Sequence, residues 1–94
     1  MRLVVSPRAE ADLRDIGDWI EARDPGAALR WLAEIKGRMD LLKTSPGMGA
    51  PRFETRRGLR MVLHGDYLVL YTPKRDHILV VRVVHGARRW QSLV

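Results

Sequence analysis

The chain has no cysteine, which excludes disulfides and thiolate metal sites and removes any argument for an oxidising compartment. No apolar run approaches the ~20 residues that cross a bilayer. The N-terminus leads straight into a short strand and a capped helix, a pattern without a secretion signal, so a cytoplasmic location is expected. Aromatics are sparse, at 6% of 94 residues, so each one needs its own explanation. Acidic residues are scarce in one half only. Residues 1–48 carry eight Lys/Arg against eight Asp/Glu, whereas residues 49–94 carry nine against three. The whole net charge of +6 therefore sits on the C-terminal half. Such asymmetry points to a polyanionic partner, either nucleic acid or an acidic protein segment. The plainer alternative is a solvated surface that keeps a small protein soluble. The length suits one small domain, expected to span 1–94, with a single core and little stability in reserve.

What is present is strongly patterned. Arg2–Val5 is a short apolar run, an edge or inner strand. Ser6-Pro7 opens a helix, with serine as cap and proline in the first turn, where no hydrogen bond is lost. Ala9, Leu13, Ile16 and Ile20 follow at helical spacing, while Asp12, Asp15 and Asp18, three apart, read as a solvated face without a catalytic role. Asp24-Pro25 is expected to cap a second helix carrying the stripe Ala28, Leu32, Ile35, Met39 and Leu42. The short connection makes the two helices an antiparallel αα-hairpin. Residues 45–58, rich in Gly, Pro and Arg, are expected to form a long irregular connection, of a kind that is often functional.

Three strands then follow: Leu59–His64, Tyr67–Thr72 after a Gly65-Asp66 turn, and His77–His85 after the Pro73–Asp76 turn. The fold class expected is α+β in two layers. An N-terminal strand precedes an αα-hairpin packed on an antiparallel sheet that ends in a three-stranded meander. The hairpin covers one sheet face, and the other face is expected to stay partly open and to carry function.

The segments Ser6-Pro7-Arg8-Ala9-Glu10-Ala11-Asp12-Leu13, Ser45-Pro46-Gly47-Met48-Gly49, Gly58-Leu59-Arg60-Met61, Gly65-Asp66-Tyr67-Leu68-Val69-Leu70-Tyr71 and Ile78–Arg88 stand in an order and spacing that cover nearly the whole chain. In these the sequence resembles the ParE branch of the RelE/ParE superfamily of type II toxin–antitoxin systems. The resemblance implies two helices on an antiparallel sheet; no cofactor and no metal are expected. It also implies neutralisation by a cognate ParD-like antitoxin, usually a ribbon-helix-helix dimer with a tail that orders on the toxin. ParE-like members block DNA gyrase without known chemistry and meet DNA only through the toxin–antitoxin complex; RelE-like members cut messenger RNA on the ribosome. RNA cleavage needs a base, an acid and cations around the phosphorane. RelE-like nucleases place lysines and an arginine on the first meander strand, an arginine after the last strand and usually a C-terminal tyrosine. Here the matching positions are Leu59, Met61 and Leu63, then Arg88, then Val94. Only Arg88 is retained, which argues for the gyrase-directed, non-enzymatic branch. An interferase with an altered set, using Arg88 and His85, and a non-toxic co-repressor are the alternatives.

The candidate target-binding residues are Arg60, Arg82, His85, Arg88, Arg89 and Trp90. For Trp90 the alternative is a side chain folded back on the core. Arg82, inside an apolar strand, either faces the open sheet side or pairs with a carboxylate such as Glu34 or Asp40. Arg52, Arg56, Arg57, Trp19 and Trp31 are candidates for the antitoxin, against solvated charge and hairpin packing. His64, His77 and His85 lie at separate strand ends, which does not suggest a metal site. Tyr67 and Tyr71 share a strand face and are expected in the core, with their hydroxyls at its rim.

Overall fold

A computed structural model describes residues 1–94. β1 (Arg2–Val5) leads into α1 (Pro7–Arg23) and α2 (Ala27–Asp40), which ends in a 3-10 turn over Leu41–Lys43. β2 (Ala50–Pro51), β3 (Arg60–His64), β4 (Tyr67–Pro73) and β5 (His77–His85) follow, and a last 3-10 turn covers Trp90–Leu93. The strands form one sheet in the order β1-β5-β4-β3-β2, with β1 parallel to β5 and all other pairs antiparallel. The two-layer α+β plan read from the pattern is the plan observed.

Local chemistry explains most boundaries. Ser6 Oγ accepts from the Ala9 amide at 3.0 Å and donates to the Val81 carbonyl at 2.9 Å. One hydroxyl thus caps α1 and ties it to β5. The second helix starts differently from expectation. Its cap is Gly26 at φ 88°, without a side-chain cap of its own, and the Glu21 carboxylate accepts from the Gly26 amide at 3.0 and 3.1 Å. The turn needs the left-handed conformation that glycine supplies, so neither Asp24 nor Pro25 acts as foreseen. Residues 45–58 are not wholly irregular, because two of them form β2 against Arg60 and Met61.

The sheet buries both faces. On the helix side, Ala9, Ile35, Met39 and Leu42 pack on Val62, Val69, Tyr71, Ile78, Val80 and Val83. Val80 and Val83 share this face although three positions apart. The register explains it: Tyr71 pairs with Val80 and Leu70 with Arg82, leaving Val81 as a bulge that shifts the alternation. The other face holds Leu59, Leu68, Leu70 and Val84, covered by Trp90 with Leu93 and Val94 beside it. The partly open face anticipated from the sequence is therefore largely closed by the C-terminal turn. Trp90, at 7% exposure, is a core residue, and its burial contributes on the order of 2–3 kcal/mol. No helix is long and apolar enough to cross a membrane.

Candidate functional site

α1 runs beside the C-terminal end of β5 and contacts it through Asp12. Between them lies a groove of about 390 Å³ lined by Ile16, Trp19, Tyr67, Val83 and Val84, with Asp12, Asp15, His85 and Arg88 as its polar groups. One lining residue, Asp12, is held in an ion pair. Arg82, 5% exposed, donates through Nε to Asp12 Oδ2 at 2.7 Å and through Nη2 to Oδ1 at 2.9 Å. The Val83 amide donates to Oδ2 as well, at 2.9 Å. The hydrogen bond to Asp12 raises the Arg82 pKa above its ordinary value, against the opposing effect of burial, so the guanidinium is locked in its charged form. Asp12 is saturated by three donors and is a structural group.

The rim is freer. Trp19 is 53% exposed, and the Arg23 guanidinium stacks 3.7 Å from its ring centroid, a geometry favourable to a cation–π contact. His85 Nδ1 accepts from the Ala87 amide at 3.1 Å, which leaves Nε2 to carry the proton in the neutral ring. Tyr67 meets the His85 ring edge-on at 5.3 Å and Trp31 at 5.2 Å, and Trp31 meets His64 at 6.4 Å. This aromatic row joins α2 to β5. Burial, then the neighbouring Asp66 charge, raises the Tyr67 pKa, so its hydroxyl stays protonated. Arg88 and Arg89 are exposed and form no ion pair.

The candidates named from sequence thus separate. Trp19, His85 and Arg88 meet in the groove, and Arg89 stands next to it in the chain. Arg82 lies beneath it, paired with Asp12 rather than with Glu34, Asp40 or an open face. Trp90 lies under the sheet, not on an exposed tip. Arg60 donates to the carbonyls of Gly49 at 2.9 Å and Gly47 at 3.4 Å, so its guanidinium secures the 45–58 connection. Arg52 donates to Pro51 O at 2.7 Å, while Arg56 and Arg57 are exposed beyond it, near Phe53 at 52% exposure. Trp31 is half-buried between the helix and β4. Asp12, Asp15, Ile16 and Tyr67 were not singled out as site residues. The signal was there, since positions 12, 15, 16 and 19 have the spacing of one helix face, but the regular acidic spacing made that face look solvated.

Leu59 is fully buried under Trp90, Met61 packs beside it, and Leu63 is 56% exposed and apolar. Tyr71 is fully buried, and its hydroxyl accepts from the Gly49 amide at 2.9 Å while donating to Pro46 O at 2.8 Å. It does not reach a rim; it anchors the connection into β2. No group of three or more His, Cys, Asp or Glu side chains is placed to hold a metal ion.

Comparison with known proteins agrees with this fold. The fold matches a chain of the "Chromosomal ParDE TA system from P. aeruginosa" with a TM-score of 0.79 at 24% identity, covering 90% of this chain and 95% of the other. Toxin ParE1 of Caulobacter vibrioides is 32% identical over 82 residues, which span 86% of this chain and 84% of that protein. The Sinorhizobium fredii protein Y4kP is 33% identical over 88 residues, spanning 93% of this chain and 90% of the relative. Residues 3–90 match the family model described as "ParE toxin of type II toxin-antitoxin system, parDE". The chain therefore belongs to the ParE toxin family of type II toxin–antitoxin systems.

Proposed function

We propose that this ParE-family toxin arrests DNA gyrase by binding it, without cleaving a substrate, and is neutralised by a ParD-like ribbon-helix-helix antitoxin with an acidic tail. The observation that carries this reading is the apolar character of Leu59, Met61 and Leu63, the positions where the resemblance to RelE-like nucleases would place cations. Leu59 and Met61 pack in the far-face core and Leu63 is apolar, so these three positions offer no proton donor, proton acceptor or cation to a phosphodiester, and Arg60 beside them is engaged by the Gly47 and Gly49 carbonyls. Among the candidate residues, Arg56, Arg57, Arg88 and Arg89 are exposed and form no ion pair, and they suit a carboxylate- or phosphate-rich surface. The groove bounded by Trp19 and Arg88 supplies an apolar anchor point next to a cation, the pattern of a protein-binding hot spot. DNA is met through the toxin–antitoxin complex.

One observation favours a second reading. His85 and Arg88 share the groove, so a general acid and a phosphate-binding cation are close together, as an altered RelE-type interferase would need. Antitoxin-free protein added to a gyrase supercoiling assay and to a translating ribosome separates the two. Inhibited supercoiling with intact message is expected. Cleaved message with unaffected supercoiling would replace the proposal with the interferase, and inactivity in both assays would leave an antitoxin-binding co-repressor.

A further inference from the structure

One end of the sheet is built from chain segments that each carry exposed cations. β1 enters the sheet there at Arg2, opposite His77 at the start of β5. The β4–β5 turn stands at the same end. Pro73 pairs with Ile78, and the Lys74 amide donates to His77 O at 2.8 Å, so the tip of the turn is Lys74-Arg75-Asp76. Beside it lies the bend that leads into β3. The Leu59 amide donates to Arg56 O at 3.1 Å, and Gly58 at φ 76° completes a tight turn with Arg57 at its tip. A Cβ on Gly58 would lie 3.1 Å from Thr72 Cγ2, so the bend sits against β4 just before the Lys74 turn.

The sheet order here is β1-β5-β4-β3, and neighbouring strands lie about 4.8 Å apart. Arg2, Lys74, Arg75, Arg56 and Arg57 are therefore spread over about 14 Å along one end of the sheet. All five are exposed, and among them only Arg2 forms an ion pair, with Asp76 at 3.8 Å. Asp76 is also bonded to His77 at 2.7 Å, and Glu54 is the other carboxylate in these segments. The surroundings decide what such a row can hold. A protein partner gripped by a hot spot needs an apolar anchor site, and single-stranded bases need open aromatic faces to stack on. The groove between α1 and β5 shares none of these residues. The aromatic ring nearby in the chain, Phe53, is already faced by the Arg60 guanidinium, 5.4 Å from its centroid. What the row fits is a regular line of anions recognised by charge, as on the backbone of a duplex.

We propose that this end of the sheet binds the phosphate backbone of duplex DNA without reading its sequence, through Arg56, Arg57, Lys74 and Arg75, with Arg2 at the margin. The contact is the toxin's own and is additional to the one that runs through the toxin–antitoxin complex. It rests on the gyrase reading above only for the choice of DNA over duplex RNA. The groove holding His85 and Arg88 lies at the other end of β5, so the toxin can hold DNA and a protein target at once.

Fluorescence anisotropy with a labelled duplex of about 20 base pairs and mixed sequence tests this on antitoxin-free toxin. Four cations on phosphates predict that log K falls against log salt with a slope of about −3.6. Arg56→Gln with Arg57→Gln, or Lys74→Gln with Arg75→Gln, should each reduce that slope by about half and weaken binding by about ten-fold at low salt. Arg14→Gln with Arg30→Gln, on the exposed faces of α1 and α2, removes the same net charge and should leave the affinity within about two-fold. A slope flatter than about −1, or equal losses in all three double variants, overturns the proposal. Tighter binding of RNA of the same length, single-stranded or duplex, also overturns it by making RNA the ligand. Equal binding of polyglutamate does so by making the ligand an acidic protein. Toxin that blocks supercoiling yet ignores the duplex keeps the gyrase reading and removes this one. Toxin that binds the duplex with the expected slope but leaves supercoiling untouched keeps the DNA-binding end and removes the gyrase reading.

Discussion

One edge of the sheet is closed by its own chain and the other is held in place from behind. At the closed edge, Tyr71 and Arg60 fold down the connection from Pro46 to Gly58 and Arg38 covers the Leu63 carbonyl of β3, each by a hydrogen bond to main chain. At the open edge, the main chain of β1 bonds only to β5, Leu3 and Val5 lean on the helix-side core, and the strand's position depends on α1, which follows it after Ser6. α1 in turn is fastened to β5 by the Ser6 hydroxyl and by Asp12. The difference teaches that the closed edge is a matter of covering backbone, whereas the open edge is a matter of bracing a strand that stays bare. The two should therefore fail under different substitutions.

The largest effect is expected at the brace. Asp12→Ala leaves the Arg82 guanidinium buried without a counter-charge and the Val83 amide without its acceptor. The cost should be about 3–5 kcal/mol, read as a lower urea midpoint. A loss under about 1 kcal/mol would show that Arg82 escapes to water and that Asp12 does not brace the open edge. Replacing both partners, Asp12→Leu with Arg82→Met, should recover most of the loss, because the desolvated charge goes with its mate.

The closed edge should break next most severely at Gly49. A Cβ there would lie 2.6 Å from the Tyr71 hydroxyl, 2.7 Å from its ring and 2.9 Å from the Met61 carbonyl. Gly49→Ala should cost about 2–3 kcal/mol by overpacking. Adding Tyr71→Phe removes the hydroxyl but not the ring carbon or the carbonyl, so the double variant should stay destabilised. Full rescue would mean that the hydroxyl alone sets the spacing. Arg38→Met should cost less, about 0.5–1.5 kcal/mol in the same unfolding measurement, because a single hydrogen bond to Leu63 O is lost near solvent. A cost above about 2 kcal/mol would place Arg38 among the groups that fix β3 rather than among those that cover it.

How much of this contrast the sequence displays follows from distance along the chain. Ser6-Pro7 and Gly65-Asp66 are legible because a cap and a two-residue turn act over neighbouring residues. The helix stripes and the three C-terminal strands are legible for the same reason. Asp12 and Arg82 are 70 positions apart. With no local sign of the Val81 bulge, Arg82 had several candidate carboxylates, and a helix with acids three apart looked solvated. β2 is invisible because two residues, one of them proline, have no periodicity. Trp90 admitted both an exposed and a folded-back reading, and the apolar run on the far sheet face decides for the second. Trp19, His85 and Arg88 were each legible as candidates, but their meeting with Asp15, Ile16 and Tyr67 depends on β5 passing beside α1. That β1 is an edge strand at all depends on its parallel pairing with β5, which no local pattern states.

The smallest effect separates the two ends of the open edge. Asp76, in the turn that leads into β5, has its carboxyl held below the ordinary value of 3.8, chiefly by the His77 hydrogen bond and further by the charges of His77 and Arg2. A carboxyl depressed in the folded state adds stability that is present above its unfolded value and is lost as pH falls through the folded one. The window therefore lies below about pH 4, and stability near neutral pH should not respond to this group's titration. Asp76 is fully exposed, so the measurement is its own midpoint, followed by side-chain carbon NMR, rather than an unfolding curve. His77→Ala should move that midpoint back up most of the way, and Arg2→Ala by less, with the Arg2 effect shrinking as salt is added. A larger shift from Arg2 than from His77 would mean that the edge strand, not the turn, holds the carboxylate.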